Sequence, residues 1–217
     1  MSQTRSRKIL LLIILLLLAT PGISPHQKPS KKSSKKTTSK VSKNKQSDSL
    51  AEALKGKKVP DKIRDSLKLV NIRYYGYDSL EHKGQLIIHK SLANETAAIF
   101  DSLFTHKFPI AKIKPMSSYG WDDDSSMVDN NTSCFNYRNA ANSKRLSLHA
   151  YGRAVDINPK DNPYILKNRV SPPNAKYDAK KRGTILKDSY IYKLFKKHGW
   201  KWGGDWKSLK DYQHFEK

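Results

Sequence analysis

Apolar residues are unevenly spread along the chain, and their spacing predicts where it folds. Ile9 to Ala19 is an unbroken apolar run of eleven residues behind a positive start of Arg5, Arg7 and Lys8. A membrane-crossing helix needs about 20 such residues. Residues 1–25 are therefore expected to be an export signal, with an uncleaved N-terminal anchor as the alternative. Thr20-Pro-Gly-Ile-Ser-Pro25 would break its helix. Residues 26–47 contain eight lysines, many Ser and Thr and no acid. Such a segment has too little to bury against chain entropy and is expected to be a disordered linker. The folded domain is expected over residues 48–217.

Within that domain, Ser49 to Lys55 and Pro60 to Leu69 have weak helical character. Val70-Asn-Ile-Arg-Tyr-Tyr75 and Gln85-Leu-Ile-Ile-His89 are rich in β-branched and aromatic residues and predict strands. Ser91 to Lys107 is the strongest helix: Leu92, Ala97, Ile99, Phe100, Leu103 and Phe104 mostly share a face, with Ser91 or Asn94 as the cap. Ile110 to Lys114 predicts a strand. Asp122 to Asp129 reads as a solvated loop, because adjacent carboxylates point apart and no calcium-loop spacing follows. Residues 160–187, rich in Pro, Lys and Asn, predict an irregular excursion. A last helix is expected from Ser189 to His198, capped by Asp188 and stopped by Gly199.

One stretch carries the chemistry: Ser147-Leu-His-Ala-Tyr-Gly-Arg-Ala-Val-Asp-Ile-Asn-Pro159. His149 offers an imidazole nitrogen and Asp156 a carboxylate, separated by a bend at Tyr151-Gly152. Strand alternation after the bend puts Gly152, Ala154 and Asp156 on one face, and Val155 and Ile157 on the other, towards a core. A zinc enzyme needs three protein ligands and an open position. His214, in Asp211-Tyr-Gln-His-Phe-Glu216, is the third candidate. Asp211, three residues earlier, would be free to move protons, an inventory suited to metal-assisted hydrolysis. Glu216 is a rival for that role or an outer partner, since alternation puts it on the face of His214. The other five histidines (His26, His82, His89, His106, His198) lack such company and are expected to be surface or structural.

Charge and cysteine narrow the possibilities. Lys and Arg number 42 against 19 Asp and Glu, a formal net charge of +23, which implies an anionic partner or surface. Outside residues 1–47 the balance is still 31 basic to 19 acidic residues. Nucleic acid, anionic lipid and anionic wall polymer all satisfy charge alone, but an export signal argues against nucleic acid. A single cysteine, Cys134, excludes an internal disulfide and a thiolate zinc site. It is expected to be a small buried residue.

Ser-x-His-x-x-Gly-x-Ala-x-Asp (Ser147 to Asp156) followed by Asp-x-x-His (Asp211 to His214) resembles the zinc D-alanyl-D-alanine peptidases. That family includes the vancomycin-resistance-type D,D-carboxypeptidases and dipeptidases and the phage L-alanyl-D-glutamate endolysins. The resemblance runs from about Leu86 to Lys217 and takes in Met116-Ser-Ser-Tyr-Gly120, Asn130-Asn-Thr-Ser-Cys-Phe-Asn-Tyr-Arg138 and Gly199-Trp-Lys-Trp-Gly-Gly-Asp-Trp206. It implies that His149, Asp156 and His214 hold Zn2+ and that Asp211 is the catalytic acid/base, where many members carry glutamate. It also implies an arginine on the substrate side. Arg138 is the choice, with Arg153 ranked lower because strand alternation turns it from Asp156. Ser147 and Tyr151 either hydrogen-bond near the ligands or shape the turn.

The expected fold is α+β: a small, mainly antiparallel sheet with helices packed on one side and a zinc cleft across it, as in the D-Ala-D-Ala peptidase or hedgehog-like fold. The expected substrate is a peptidoglycan stem peptide, cut at D-Ala-D-Ala or at L-Ala-D-Glu, in the periplasm or cell wall. The basic linker would hold a monomeric enzyme near anionic envelope polymers. The alternative is a non-catalytic wall-binding protein on the same fold.

Overall fold

The structure, a computed structural model, describes residues 47–141 and 143–217. The expected leader, residues 1–25, and all of the expected linker but Ser47 lie outside the described residues. Among the described residues no helix is long and apolar enough to cross a membrane.

Two short helices, α1 (Leu50–Ala53) and α2 (Asp61–Arg64), lead into the longest pairing, β1 (Leu67–Tyr75) with β2 (Glu81–His89). The hairpin is antiparallel throughout, from Leu67 opposite His89 to Tyr75 opposite Glu81. Residues 67–69, expected to end a helix, are strand instead. His89, Ile88 and Ile87 of β2 stand opposite them at the start of a nine-residue ladder, which outweighs a weak helical preference. Residues 84–88 of β2 are buried without a break, the signature of a strand covered on both faces. On one face lie Ile99, Phe100 and Leu103 of α3 (Ala93–Thr105). On the other, Ala53, Leu54, Leu67, Ile87 and Phe135 form a smaller core. Neither Ser91 nor Asn94 caps α3. A 3-10 turn over Lys90–Leu92 precedes it, and His89 Nδ1 accepts the Ser91 N–H there.

The expected strand at 110–114 shrinks to β3 (Lys112–Ile113), which runs parallel to β4 (Asn131–Thr132). Between them the expected acidic loop is partly helical. In α4 (Asp123–Val128), Asp122 is the N-cap and accepts the Ser125 N–H at 2.7 Å. Carboxylates at a helix start meet unpaired N–H groups and the positive end of the dipole, so adjacent acids begin a helix here.

The remaining strands build two small sheets. In the first, β10 (His214–Glu216) lies between β5 (Ala154–Asp156) and β8 (Lys201–Trp202), antiparallel to both. In the second, β6 (Tyr164–Leu166) lies between β7 (Arg169–Ser171) and β9 (Lys210–Asp211). The excursion at 160–187 therefore contains a hairpin, with Lys167 at positive φ at its turn. The last helix, α5 (Tyr190–Lys197), begins from Ser189 without a side-chain cap. Asp188 has φ +63 and does not cap it. Gly199, at φ +80, follows the end of α5 as expected.

The architecture is α+β with small, mainly antiparallel sheets. It has four such sheets among the described residues, not one, because most strands are only two or three residues long and each pairs locally. The main core takes residues from three of them. Val155, Ile157, Phe195, Phe215 and Ile185 are fully buried beside Trp200 and Trp202. Phe215 stacks on Phe195 with centroids 4.0 Å apart. Val155 and Ile157 thus face the core as the alternation required.

Candidate metal centre

The site begins at a tight turn. Leu148–Tyr151 is a 3-10 turn, and Ser147 Oγ accepts the His149 N–H at 3.2 Å. Ser147 therefore shapes the turn. Gly152 ends it at φ +63 and is not part of the strand, which starts at Ala154. Its carbonyl accepts the His89 N–H at 2.8 Å, and a Cβ there would lie 2.6 Å from that nitrogen. Only glycine combines the left-handed backbone with this approach. The turn points His149 inward, and β5 then delivers Asp156.

Three segments meet at these residues. Ser133 and Asp156 exchange both main-chain hydrogen bonds, at 2.9 and 3.0 Å. This lays the 131–136 stretch against β5, so His149 Nδ1–H donates to the Cys134 carbonyl at 2.5 Å. Cys134 is buried, as expected, and burial holds its thiol far above the ordinary range. What it contributes to the site is its main-chain oxygen. On the other side of β5, His214 of β10 stands directly opposite Asp156.

The three sequence-selected ligands are thus brought together. His149, Asp156 and His214 are the one group among the described residues whose His, Cys, Asp or Glu atoms all lie within 4.8 Å of one another. His149 Nε2 is 3.1 Å from Asp156 Oδ2 and 3.2 Å from His214 Nδ1, and His214 Nδ1 is 3.0 Å from Asp156 Oδ1. With metal bonds of about 2.0–2.1 Å, the edge of a tetrahedral zinc site is roughly 3.3 Å. The observed triangle is close to that.

The hydrogen bonds around it make the triangle suited to a cation. His149 gives its Nδ1–H to Cys134, and His214 gives its Nε2–H to Glu216 Oε2 at 3.2 Å. Both remaining ring nitrogens then aim lone pairs inward, beside a carboxylate. Three converging acceptors repel unless a positive charge sits between them. Outward hydrogen bonds of this kind fix the tautomer and orientation of metal-binding histidines. Without a metal, a proton serves. Burial alone would lower the His214 imidazole, but its hydrogen bonds to Asp156 and Glu216 raise it to about 10. Burial likewise opposes ionisation of Asp156, yet the charge and hydrogen bond of His149 and those of His214 hold it far below the carboxylate range.

Asp211 comes to the same place by another route. Its strand, β9, pairs with β6 and packs on Gly203, where a Cβ would lie 2.5 Å from the Asp211 carbonyl oxygen. Burial pushes the Asp211 carboxyl up to about 6, the nearby Asp156 adds to the rise, and His214 opposes it. Its Oδ1 is buried without a hydrogen-bond partner among the described residues. A carboxylate poised near neutrality, beside three groups that could hold a metal ion, has the protonation behaviour that general-base chemistry requires. Glu216 does share the face of His214, as alternation required, and its hydrogen bond to Nε2 makes it an outer partner.

Arg138 is engaged by groups other than His149, Asp156 and His214. Its main-chain carbonyl accepts the Ser147 N–H, placing it beside the turn. Its guanidinium pairs with Asp123 at 2.8 Å and donates to the Asn139 carbonyl. Arg153 joins the site's scaffold through its backbone, its carbonyl accepting the Lys217 N–H. Of the tryptophans, Trp200 and Trp202 are core, while the Trp206 ring lies 5.4 Å from that of His214 and walls the site. The other described histidines are engaged elsewhere: His82 with Asp78, His89 with Ser91, His106 with Tyr190 and His198 with Glu95. The Cys134 carbonyl and the Asp123 brace had no signal in the sequence, since a backbone oxygen is anonymous and Asp123 is one of three adjacent acids.

Residues 141–217 match the family model described as D-alanyl-D-alanine carboxypeptidase. The match takes in His149, Asp156, Asp211 and His214, while Arg138 and the earlier motifs of the resemblance lie before it. No curated protein and no solved structure matches the chain. The ordered motifs and the convergence of His149, Asp156 and His214 agree with this match: residues 141–217 are similar to the D-alanyl-D-alanine carboxypeptidase family, a family of peptidases.

Proposed function

We propose that the chain is a zinc-dependent peptidase that hydrolyses peptidoglycan stem peptides, at D-Ala-D-Ala as a carboxypeptidase or at L-Ala-D-Glu as an endopeptidase. The observation that carries this reading is the convergence of three acceptor atoms, 3.0–3.2 Å apart, with the buried carboxyl of Asp211 beside them. His149 Nε2, His214 Nδ1 and Asp156 would hold the ion. When bound, zinc supplies Lewis acidity that polarises a carbonyl and acidifies water.

The chain's own groups do the rest. Asp211 takes a proton from the attacking water as its oxygen bonds to the scissile carbonyl carbon. It then hands that proton to the amine as the C–N bond breaks. Cys134 and Glu216 keep both imidazoles in the tautomer that faces the ion. Arg138 uses part of a five-donor guanidinium on Asp123 and Asn139, leaving donors for a substrate carboxylate or the developing oxyanion. The Trp206 ring excludes water on the His214 side. The fold proposed with this chemistry is the D-Ala-D-Ala peptidase or hedgehog-like one.

Digestion of purified muropeptides, read by mass spectrometry, tests the reading and separates the two bonds. Release of a terminal D-Ala supports the carboxypeptidase, and cleavage after L-Ala the endopeptidase. Intact stem peptides with zinc-loaded protein would end the proposal.

Residues 1–25 are proposed to export the chain or anchor it, and residues 26–47 to hold a monomer near anionic envelope polymers. Deleting 26–47 should leave turnover of a small soluble peptide unchanged and weaken retention on whole walls, the difference fading as salt screens it. Equal retention of both forms at low salt would dispose of the tether.

A further inference from the structure

The strand that carries His214 is very short. β10 has three residues, paired to three in β5 and two in β8. Its register matters more than its length. Sliding by one residue would turn His214 towards the core and Phe215 towards the site. The stacking of Phe215 on Phe195 opposes that slip. It does not hold the strand end, where Glu216 must stay against His214 Nε2.

Lys217, next along the chain, supplies the missing anchor. Its N–H donates to the Arg153 carbonyl at 3.0 Å, continuing the ladder. Its ammonium donates to both Glu95 oxygens at 2.8 Å and to the His198 carbonyl at 2.7 Å. Trp200 Nε1–H also donates to Glu95 Oε1, at 2.8 Å, fixing the carboxylate. Glu95 lies in the first turn of α3, where a negative charge is favoured. The pair is partly shielded, with side chains 24% and 30% exposed. A half-buried, multiply bonded pair holds more firmly than a solvated surface contact.

We infer that Glu95 and Lys217 form a positioning clamp for His214, tying the end of β10 to α3 and to the turn after α5 and so keeping His214 opposite Asp156. Neither residue touches the ligands; they act through Glu216 and the strand. The inference rests on the metal-centre reading for its functional meaning, but its structural core can be tested without metal.

Two variants test it, Lys217→Met, which keeps the aliphatic stem, and Glu95→Gln, which keeps the acceptor for Trp200. In metal-free protein, amide hydrogen exchange should lose protection along β10 while α3 and the β1–β2 hairpin keep theirs. Zinc affinity should fall by about 10-fold, the scale seen for outer partners of metal sites, and the visible spectrum of the cobalt-loaded protein should change with the ligand geometry. The double variant should be no worse than Lys217→Met alone, because that change already removes the Glu95 contact that Glu95→Gln weakens, together with the bond to the His198 carbonyl. Unchanged β10 protection, or an equal loss throughout the fold, would overturn the clamp. Wild-type protein that takes up neither zinc nor cobalt would instead overturn the metal-centre reading, and the metal-free exchange data would still decide the clamp.

Discussion

Asp211→Ala should keep its metal and lose hydrolysis by roughly 10²–10⁴-fold, the usual contribution of a positioned acid/base. Asp211 is not one of the three converging ligands, so its removal leaves the cation's partners in place. What disappears is the group that accepts and returns the proton. The pH profile of the unmodified enzyme should carry the same signature. The base works as a carboxylate, and the Asp211 carboxyl is raised to about 6 by burial and by Asp156. Activity should therefore fall as pH drops through an apparent value at or below about 6, since a bound dication can only favour ionisation. Stability should move oppositely. A carboxyl whose folded value exceeds its unfolded one favours folding below the unfolded value, and that advantage is lost as pH rises through the folded value. Metal-free Asp211→Asn should accordingly melt higher than wild type at pH 7. The control is Glu216→Ala, which frees His214 Nε2 and should weaken metal affinity more than proton transfer. A metal-loaded but inactive Glu216→Ala, beside a nearly active Asp211→Ala, would transfer the base role to Glu216.

His149→Ala and His214→Ala should each empty the site. Either change removes a donor from a three-ligand set and leaves Asp156 with one imidazole partner. Affinity for zinc should drop well beyond the roughly 10–100-fold typical of outer contacts, and activity should go with it. Metal analysis of the purified variants checks this, and stoichiometric zinc in both would sink the ligand assignment. Uptake of metal by the wild type should release protons, because the His214 imidazole holds its proton up to about 10 without metal. Affinity should then rise with pH, as it does wherever metal and proton compete for one lone pair.

The sequence by itself picked out the three side chains that converge and the pattern of the core. His149, Asp156 and His214 could be picked because a metal centre needs particular donor atoms, and a residue's identity states its donor. Val155 and Ile157 could be placed in the core because period-two alternation is a local property of a strand. Gly152 could be placed at a bend because its backbone freedom is intrinsic. The tertiary structure decided everything that depends on which segments meet. Residues 67–69 became strand because β2 supplies partners, and the hairpin at 164–171 formed with β9 as its third strand. Arg138 went to Asp123 because α4 starts where a loop had been expected. The orientation of His149 rests on the Cys134 carbonyl, a group every residue possesses. The raised carboxyl of Asp211 comes from burial, which exists only once the chain has closed around it. Donor chemistry and backbone preference are written residue by residue; desolvation, register and the choice of partner are properties of the assembled fold.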